Sequence, residues 1–194
     1  MRLDPKVIAG LSLSYEFNSY LRVMPKQYKK TPLGMGFGKS RFSSPNDQFK
    51  LLYAAPDLET AIAEVIVRDR FEGKAKRILD ISEIGEFAVA EISTRKELTL
   101  LDLRKSGLLK LGVSTDAARA KAHREGQLLS EDLHQQFLLD GILYASRLTG
   151  EDCVAVYERA VTPKLKASSA IALAKEENLI PALKSLHVSL RMDE

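Results

Sequence analysis

The amino-acid sequence has few of the residues that build disulfides and metal centres. It contains one cysteine, Cys153, which excludes a disulfide within the chain. Its three histidines, His123, His134 and His187, are scattered and have no metal-ligand spacing. We therefore expect no metal site and, in particular, no structural zinc.

Long apolar runs are also missing. No stretch approaches the roughly eighteen apolar residues of a membrane span, and the N-terminal M-R-L-D-P-K-V-I-A-G lacks the long apolar region of a secretory signal. Together with the low cysteine content, these absences predict a cytoplasmic protein with no membrane partner. At 194 residues, 45% of them hydrophobic, the chain is long enough for one well-buried core, so we expect a single domain over residues 1–194.

One stretch of the N-terminal quarter has no acidic residue. It lies between Glu16 and Asp47, in a chain whose net charge is only +3. Its cations are Arg22, Lys26, Lys29, Lys30, Lys39 and Arg41, and the aromatic residues among them are Tyr20, Tyr28, Phe37 and Phe42. This composition favours an anionic ligand, while a solvated basic face is the simpler interpretation. The alternative function is a nucleic-acid-binding module in which residues 20–42 contact phosphates and stack on bases.

A glycine-rich segment inside this stretch superficially suggests a phosphate-binding P-loop. That motif requires a glycine five positions before the Gly38–Lys39 pair, where the chain has Leu33, and Gly34 is one residue out of register. Pro45 also discourages the helix that must follow a P-loop. We therefore exclude a nucleoside triphosphatase of this type.

The remaining pattern mixes strands and helices without a repeat. The predicted strands are N-S-Y-L-R-V-M, F-K-L-L-Y-A-A, E-F-A-V-A-E-I-S and E-L-T-L-L-D-L, then the pair G-I-L-Y-A-S and D-C-V-A-V-Y-E-R-A. A largely helical middle from about Thr115 to Leu139 precedes that pair, and the tail from Lys166 adds a strand and a short helix. Because the order is not a regular βαβ alternation, we predict a compact α+β fold with a mixed, mainly antiparallel sheet.

A further helix is predicted to begin at Leu58, with Asp57 as its N-cap. Within it, Glu64 is the only charge in the run A-I-A-E-V-I-V. Helical geometry places Glu64 on the flank of the apolar stripe, where it can pair with Arg68 one turn later on the surface. The alternative is a functional carboxylate, because a carboxylate kept beside apolar surroundings carries a free-energy cost.

Several short motifs occur in an order and spacing that resemble the RES domain family. They are L-R-V at 21–23, G-K-S-R-F at 38–42, L-Y-A-A at 52–55, A-x-A-E at 61–64 and D-G-I-L-Y-A-S-R at 140–147. The family is named for its arginine, glutamate and serine and includes toxins of bacterial toxin–antitoxin systems. The resemblance covers a motif-bearing core at about residues 20–160, which leaves a C-terminal extension at about 166–194.

The resemblance implies a compact fold similar to ADP-ribosyltransferases and an enzyme that consumes NAD. The nicotinamide–ribose bond would be split by phosphorolysis or hydrolysis, or ADP-ribose would be transferred to a protein. NAD is then a substrate, with inorganic phosphate as an optional co-substrate, and no cofactor is expected. The partners that the family implies are a cognate antitoxin protein and, optionally, a second copy of the chain.

The resemblance also assigns the site. The arginine near the first strand corresponds to Arg22, the arginine of the usual G-R-W segment to Arg41, the aromatic residue before the helix to Tyr53, the glutamate to Glu64 and the serine to Ser146. This chain departs from the family pattern at Val23 and Phe42, where relatives carry aromatic residues, so charge roles are better supported than stacking roles.

The chemistry of NAD suits these residue types. Arginine forks bind a pyrophosphate in a bidentate manner, and an aromatic face accommodates the cationic nicotinamide. A carboxylate such as Glu64 stabilises the oxocarbenium character that develops on the ribose. Ser146 would orient the ribose or the nicotinamide amide. The plain alternatives are a basic surface for Arg41, a core position for Tyr53 and a turn for Ser146.

Overall fold

The computed structural model describes residues 3–71, 73–114 and 123–191. Its strands form three sheets, and the largest has five strands in the order β1-β6-β7-β8-β3. These strands are β1 (Ser12–Tyr15), β3 (Leu51–Ala54), β6 (Leu98–Asp102), β7 (Gly141–Ala145) and β8 (Asp152–Tyr157). The β6–β7 pair is parallel and the other three pairs are antiparallel.

The second sheet is centred on β5 and is antiparallel throughout. Its strands are β2 (Tyr20–Pro25), β5 (Phe87–Thr94), β9 (Leu165–Ala167) and β10 (Ile171–Ala172). A third, two-stranded sheet joins β4 (Ile78–Asp80) in parallel to β11 (Ser189–Arg191), which brings the end of the described chain against its middle.

Short helices surround these sheets. They are α1 (Pro5–Leu11), α2 (Leu58–Ile62), α3 (Arg68–Phe71), α4 (Ile81–Ile84), α5 (Gly107–Lys110), α6 (Arg124–Gln136), α7 (Glu158–Lys164) and α8 (Leu179–Ser185). A π-helical turn, Ala63–Val67, continues α2 into α3, and single 3-10 turns lie at Lys26–Tyr28 and Leu173–Lys175. No helix among the described residues combines the length and apolar character that crossing a bilayer requires.

The two larger sheets meet at one point. The Leu21 N–H donates to the Ala55 carbonyl at 2.7 Å, and the Ala55 N–H donates back to the Leu21 carbonyl at 2.9 Å. This isolated bridge joins β2, from the second sheet, to the end of β3, from the first. Residues of both strands then line a single pocket.

The predicted α+β class with a mixed, mainly antiparallel sheet is confirmed. All six strands predicted before the tail are present, and Asp57 caps α2 by accepting a hydrogen bond from the Thr60 N–H at 2.7 Å. One prediction was wrong at its end: Glu158, Arg159 and Ala160 belong to helix α7 and not to the preceding strand. At this break Glu158 remains bonded to Lys50: its N–H donates to the Lys50 carbonyl and its carboxylate accepts from the Lys50 N–H, each at 3.1 Å.

The helical middle is shorter at its C-terminal end than predicted. Helix α6 ends at Gln136, since Phe137 is extended, and residues 115–122 of the predicted helix lie outside the described residues. Arg159 stabilises this end, because its guanidinium donates to the His134 carbonyl in the last turn and to the Phe137 and Leu139 carbonyls in the extended segment that follows. The tail holds more than the predicted strand and helix: β9, β10, β11 and α8.

Candidate active site

A pocket of about 240 Å³ opens between β2, β3 and the π-helical turn. Its charged and polar lining consists of Arg22, Ser40, Tyr53, Glu64, Arg68, Tyr144 and Cys153. Apolar residues complete the wall: Leu21, Val23, Met24, Pro25, Leu51, Ala54, Ala55, Ala61 and Val65. The pocket therefore combines an apolar body with a few polar side chains that converge on it, as small-molecule sites do.

Glu64 lies on the π-helical turn and faces this pocket. Its Oε2 is 3.6 Å from Nη1 of Arg68, so the surface pair predicted from the i, i+4 spacing is present. The Glu64 side chain is nevertheless only 19% exposed, and its Oε1 accepts a hydrogen bond from the Ser146 hydroxyl at 2.7 Å. The two interpretations of Glu64 are thus compatible: it pairs with Arg68 at the wall of the pocket.

The π-helical turn sets the direction of the Glu64 side chain. The Arg68 N–H donates to the Ala63 carbonyl five residues earlier, where an α-helix would use a carbonyl four residues earlier. The extra residue in this turn changes the direction of the side chains after Ile62, relative to the apolar stripe that an ideal α-helix predicts. Turns of this kind occur frequently at functional sites.

Ser146 follows β7 directly and is 4% exposed. Its hydroxyl donates to Glu64 and accepts from the backbone N–H groups of Leu148 and Thr149, at 3.2 and 3.3 Å. The loop after β7 thereby fixes the serine, and the serine fixes the carboxylate. Ser146 does not line the pocket itself, so this geometry suits a residue that positions Glu64.

Arg22, on β2, also lines the pocket. Its Nη2 donates to the Gly34 carbonyl at 2.8 Å, whereas its buried Nη1 has no hydrogen-bond partner in the described part of the chain. Burial lowers the pKa of this guanidinium to about 10, which leaves it protonated at neutral pH. A buried cationic donor that faces a pocket is suited to an anionic ligand.

Tyr53 connects strand β3 to the basic segment. Its hydroxyl accepts a hydrogen bond from the Phe42 N–H at 3.2 Å, and burial raises the pKa of Tyr53 to about 12, so the phenol stays neutral. The bond holds the backbone next to Arg41 against the pocket wall. Tyr53 packs against the core, as one interpretation expects, and also lines the pocket, as the other expects.

Arg41 does not line the pocket but lies within the electrostatic reach of its acidic wall. Burial lowers the pKa of the Arg41 guanidinium, and the charges of Glu64, Arg147 and Arg68 act on it as well. Three arginines, Arg41, Arg68 and Arg147, thus share the neighbourhood of one carboxylate. We call these three side chains the arginine cluster.

The site also contains residues to which the sequence interpretation gave no part. Tyr144 is 5% exposed and packs edge-on against Phe42 at 5.2 Å between ring centroids. It also forms a hydrogen bond with the Cys153 thiol. Burial raises the pKa of both groups well above their usual range. Tyr144 and Arg147 lie inside the D-G-I-L-Y-A-S-R motif, which could have indicated them, whereas nothing in the sequence pattern indicated Cys153.

Across residues 3–71, 73–114 and 123–191, no three histidine, cysteine or acidic side chains group as metal ligands do. The polar groups of the pocket are mainly cationic or neutral donors, which suit an anion better than a metal ion.

Fold and pocket together define a small α+β protein whose site places a carboxylate among half-buried arginines, in a pocket lined by strands of two sheets. Residues 20–176 match the RES domain. The chain belongs to the RES domain family.

Two similar proteins are named as toxins or toxin–antitoxin components. The chain is 40% identical over 106 residues to the probable toxin y4kH of Sinorhizobium fredii (strain NBRC 101917 / NGR234), an alignment that covers 53% of this chain and 82% of that protein. It also resembles in fold a chain of the crystal structure of the M. tuberculosis MbcT–MbcA toxin–antitoxin complex. That match has a TM-score of 0.63 and 16% identity, and it covers 86% of this chain and 89% of the other.

Proposed function

We propose that this protein is the toxin of a bacterial toxin–antitoxin system and that it consumes NAD by breaking the nicotinamide–ribose bond. One observation carries the proposal: Glu64, held by Ser146 at 2.7 Å, faces the same pocket as the buried, partly unsatisfied guanidinium of Arg22. A carboxylate and a cationic donor in one pocket match the two charged features of this reaction, a developing ribosyl cation and a pyrophosphate.

Each residue then has a defined task. Arg22 binds the pyrophosphate, and the apolar body of the pocket beside Tyr53 accommodates the nicotinamide ring. As the bond between the ribose and nicotinamide breaks, its electron pair leaves with nicotinamide, and the Glu64 carboxylate stabilises the positive charge left on the ribose. Ser146 holds Glu64 in place, and no proton has to reach the leaving group because nicotinamide departs as a neutral molecule.

The arginine cluster supports an anionic acceptor in preference to water. Arg41, Arg68 and Arg147 bring three positive charges near Glu64, and Asp69 pairs with Arg68 at 2.8 Å, so three positive charges face two negative ones. Such an excess attracts inorganic phosphate to the position from which it attacks the ribose. Phosphorolysis is therefore the branch of the proposal that the site supports best, before hydrolysis and before ADP-ribose transfer to a protein.

The proposal is tested by incubating the purified protein with NAD, with and without inorganic phosphate, and identifying products by mass spectrometry. Phosphorolysis yields nicotinamide and an ADP-ribose phosphorylated at its anomeric carbon, whereas hydrolysis yields free ADP-ribose. Glu64→Gln should abolish most of the turnover, and Glu59→Gln, on α2 but outside this pocket, is the matched control. An unmodified NAD pool under all conditions would overturn the proposal.

A cognate antitoxin protein completes the proposal. The similarity to a named probable toxin and to a chain of a toxin–antitoxin complex supports such a partner. An enzyme that depletes NAD harms the cell that makes it, so its activity has to be restrained until it is needed. Co-expression with the protein encoded next to its gene should restore growth to cells that the toxin alone arrests.

Nucleic-acid binding is the competing function for the basic segment. Lys26, Lys29, Lys30 and Lys39 are exposed, and Tyr28 and Phe37 are each 53% exposed. Arg22, however, lines the pocket, and Arg41 is half-buried and under the influence of the Glu64 charge. Measuring affinity for single-stranded DNA or RNA as salt rises separates the two functions. A nucleic-acid binder loses affinity by orders of magnitude over a few-fold rise in salt and leaves NAD intact.

A further inference from the structure

The guanidinium of Arg22 is held from one side only. Its Nη2 donates to the Gly34 carbonyl at 2.8 Å, and its other terminal nitrogen, Nη1, is buried without an acceptor in the residues that the structure describes. Burial is the cause of its lowered pKa, and no described carboxylate contributes to that shift. The Gly34 carbonyl thus determines how the planar group is oriented and in which direction the open donor points.

The Gly34 carbonyl is itself fixed by a tight turn. The Gly34 N–H donates to the Thr31 carbonyl at 2.7 Å, and the Thr31 N–H donates in turn to the Tyr28 carbonyl at 2.9 Å. On either side of the glycine, Leu33 and Met35 pack against the smaller of the two main hydrophobic clusters. The turn is therefore anchored to the core by its side chains while its backbone faces Arg22.

Residue 34 has to be glycine for reasons of space. A Cβ atom there would lie 2.9 Å from the Thr31 carbonyl oxygen and 3.0 Å from the Thr31 hydroxyl oxygen. The first of these is a backbone atom, so the turn would have to open to make room. At Gly36, two residues later, a Cβ atom would meet nothing within 4 Å.

We propose that the Thr31–Gly34 turn is a positioning element for Arg22, whose Gly34 carbonyl orients the guanidinium so that Nη1 meets the pyrophosphate of the substrate. This inference rests on the proposed action on NAD and adds to it a residue that the motif comparison did not assign to the site. It makes a glycine outside the pocket lining a determinant of substrate affinity.

The test compares steady-state kinetics of Gly34→Ala with Gly36→Ala. Gly34→Ala should raise the KM for NAD about tenfold, the loss expected for one misaligned hydrogen bond to a charged group, with little change in kcat. Gly36→Ala should behave as the parent. Leu33→Ala, which loosens the anchor without adding an atom at residue 34, should raise KM in the same direction and guards against a Gly34 variant that fails to fold.

A double-mutant cycle shows whether the turn acts through Arg22. In an Arg22→Ala background, Gly34→Ala and Leu33→Ala should have no further effect on KM. Equal KM values for the two glycine variants, or a Gly34 effect that persists in full without Arg22, would overturn the inference while leaving NAD turnover by the parent intact. If the parent protein does not consume NAD at all, that result counts against the proposed function.

Discussion

At the scale of single residues, Glu64 is paired with neighbouring side chains and at the same time faces the pocket. Its Oε2 faces Arg68 at 3.6 Å, and its Oε1 accepts from Ser146 at 2.7 Å. These partners lower the cost of keeping the charge at 19% exposure, and they also hold the group still. A carboxylate that is already charged and oriented needs little reorganisation when positive charge develops beside it.

Replacing Glu64 by glutamine separates its structural pairing from its proposed catalytic role. Glu64→Gln keeps the shape and part of the hydrogen bonding but removes the charge, so kcat should fall by about a hundredfold or more while NAD affinity changes little. Kinetics and thermal melting of this variant and of Glu59→Gln measure both effects. A parent-like rate in Glu64→Gln would return the residue to a purely structural pairing with Arg68.

Arg22 makes a second prediction at this scale. Arg22→Ala removes a partly desolvated charged donor, which should weaken NAD binding by about 2 kcal/mol, or roughly thirtyfold. Lys26→Ala, in the exposed turn that directly follows the same strand, should weaken it by less than about 1 kcal/mol. Isothermal titration in a Glu64→Gln background, where NAD survives, measures both, and equal affinities would remove Arg22 from the site.

At the scale of elements, close contacts between backbones limit what the site-bearing strand can carry. Strand β7 begins at Gly141 and delivers Ser146 to Glu64. A Cβ atom at Gly141 would lie 2.3 Å from the Ala155 carbonyl oxygen on the neighbouring β8. The glycine of the motif is therefore a packing requirement of the sheet, and the preceding helix has already ended at Gln136.

The Gly141→Ala variant tests this requirement. Since the clash is with backbone, the strands have to separate, and the free energy of unfolding should fall by about 3 kcal/mol or more. Gly10→Ala, in an open position of helix α1, should instead gain up to about 1 kcal/mol from helix propensity. Urea denaturation of both variants measures the difference, and a Gly141→Ala protein as stable as the parent would contradict the packing argument.

The elements that sequence predicted are those whose signals are local. Alternating apolar residues gave β5 and β6, and Asp57 marked the start of α2. The π-helical turn at Ala63–Val67 had no such signal, because one residue more per turn barely alters the local spacing of apolar residues from which a helix is predicted. Strands β1 and β4 were missed because they have only four and three residues, too few to show a clear alternation of apolar and polar residues.

The sequence predicted the residues of the site from their charge and from the order of the motifs along the chain. Arg22, Glu64 and Tyr53 line one pocket, whereas Arg41 and Ser146 are not among its lining residues. Sequence order carries no information about which side chain faces a cavity and which supports a neighbour. The Ser146 hydroxyl donates to Glu64, and its expected contact with substrate stays a prediction. The catalytic and binding roles themselves remain predictions.

At the scale of the whole molecule, a ligand that binds only the folded protein stabilises it. At a concentration one hundred times its Kd, NAD should add about 2.7 kcal/mol to the free energy of unfolding, which for a chain of this size raises Tm by roughly 5–10 °C. Glu64→Gln is the form to use, because it leaves NAD intact. The rise should shrink to less than half when Arg22→Ala is added, and an equal rise in both proteins would show that NAD binds elsewhere.

The bridge between Leu21 and Ala55 joins two sheets that are otherwise separately paired along β2 and β3. Few hydrogen bonds have to break for these two strands to part, so the Leu21 and Ala55 amides should exchange with deuterium well before those of Leu143 and Val154 in the middle of the five-stranded sheet. Substrate in the pocket contacts both strands and should slow exchange at the bridge while leaving the central amides unchanged. The rate of isotope exchange at two peptide groups then reports occupancy of the site without any turnover.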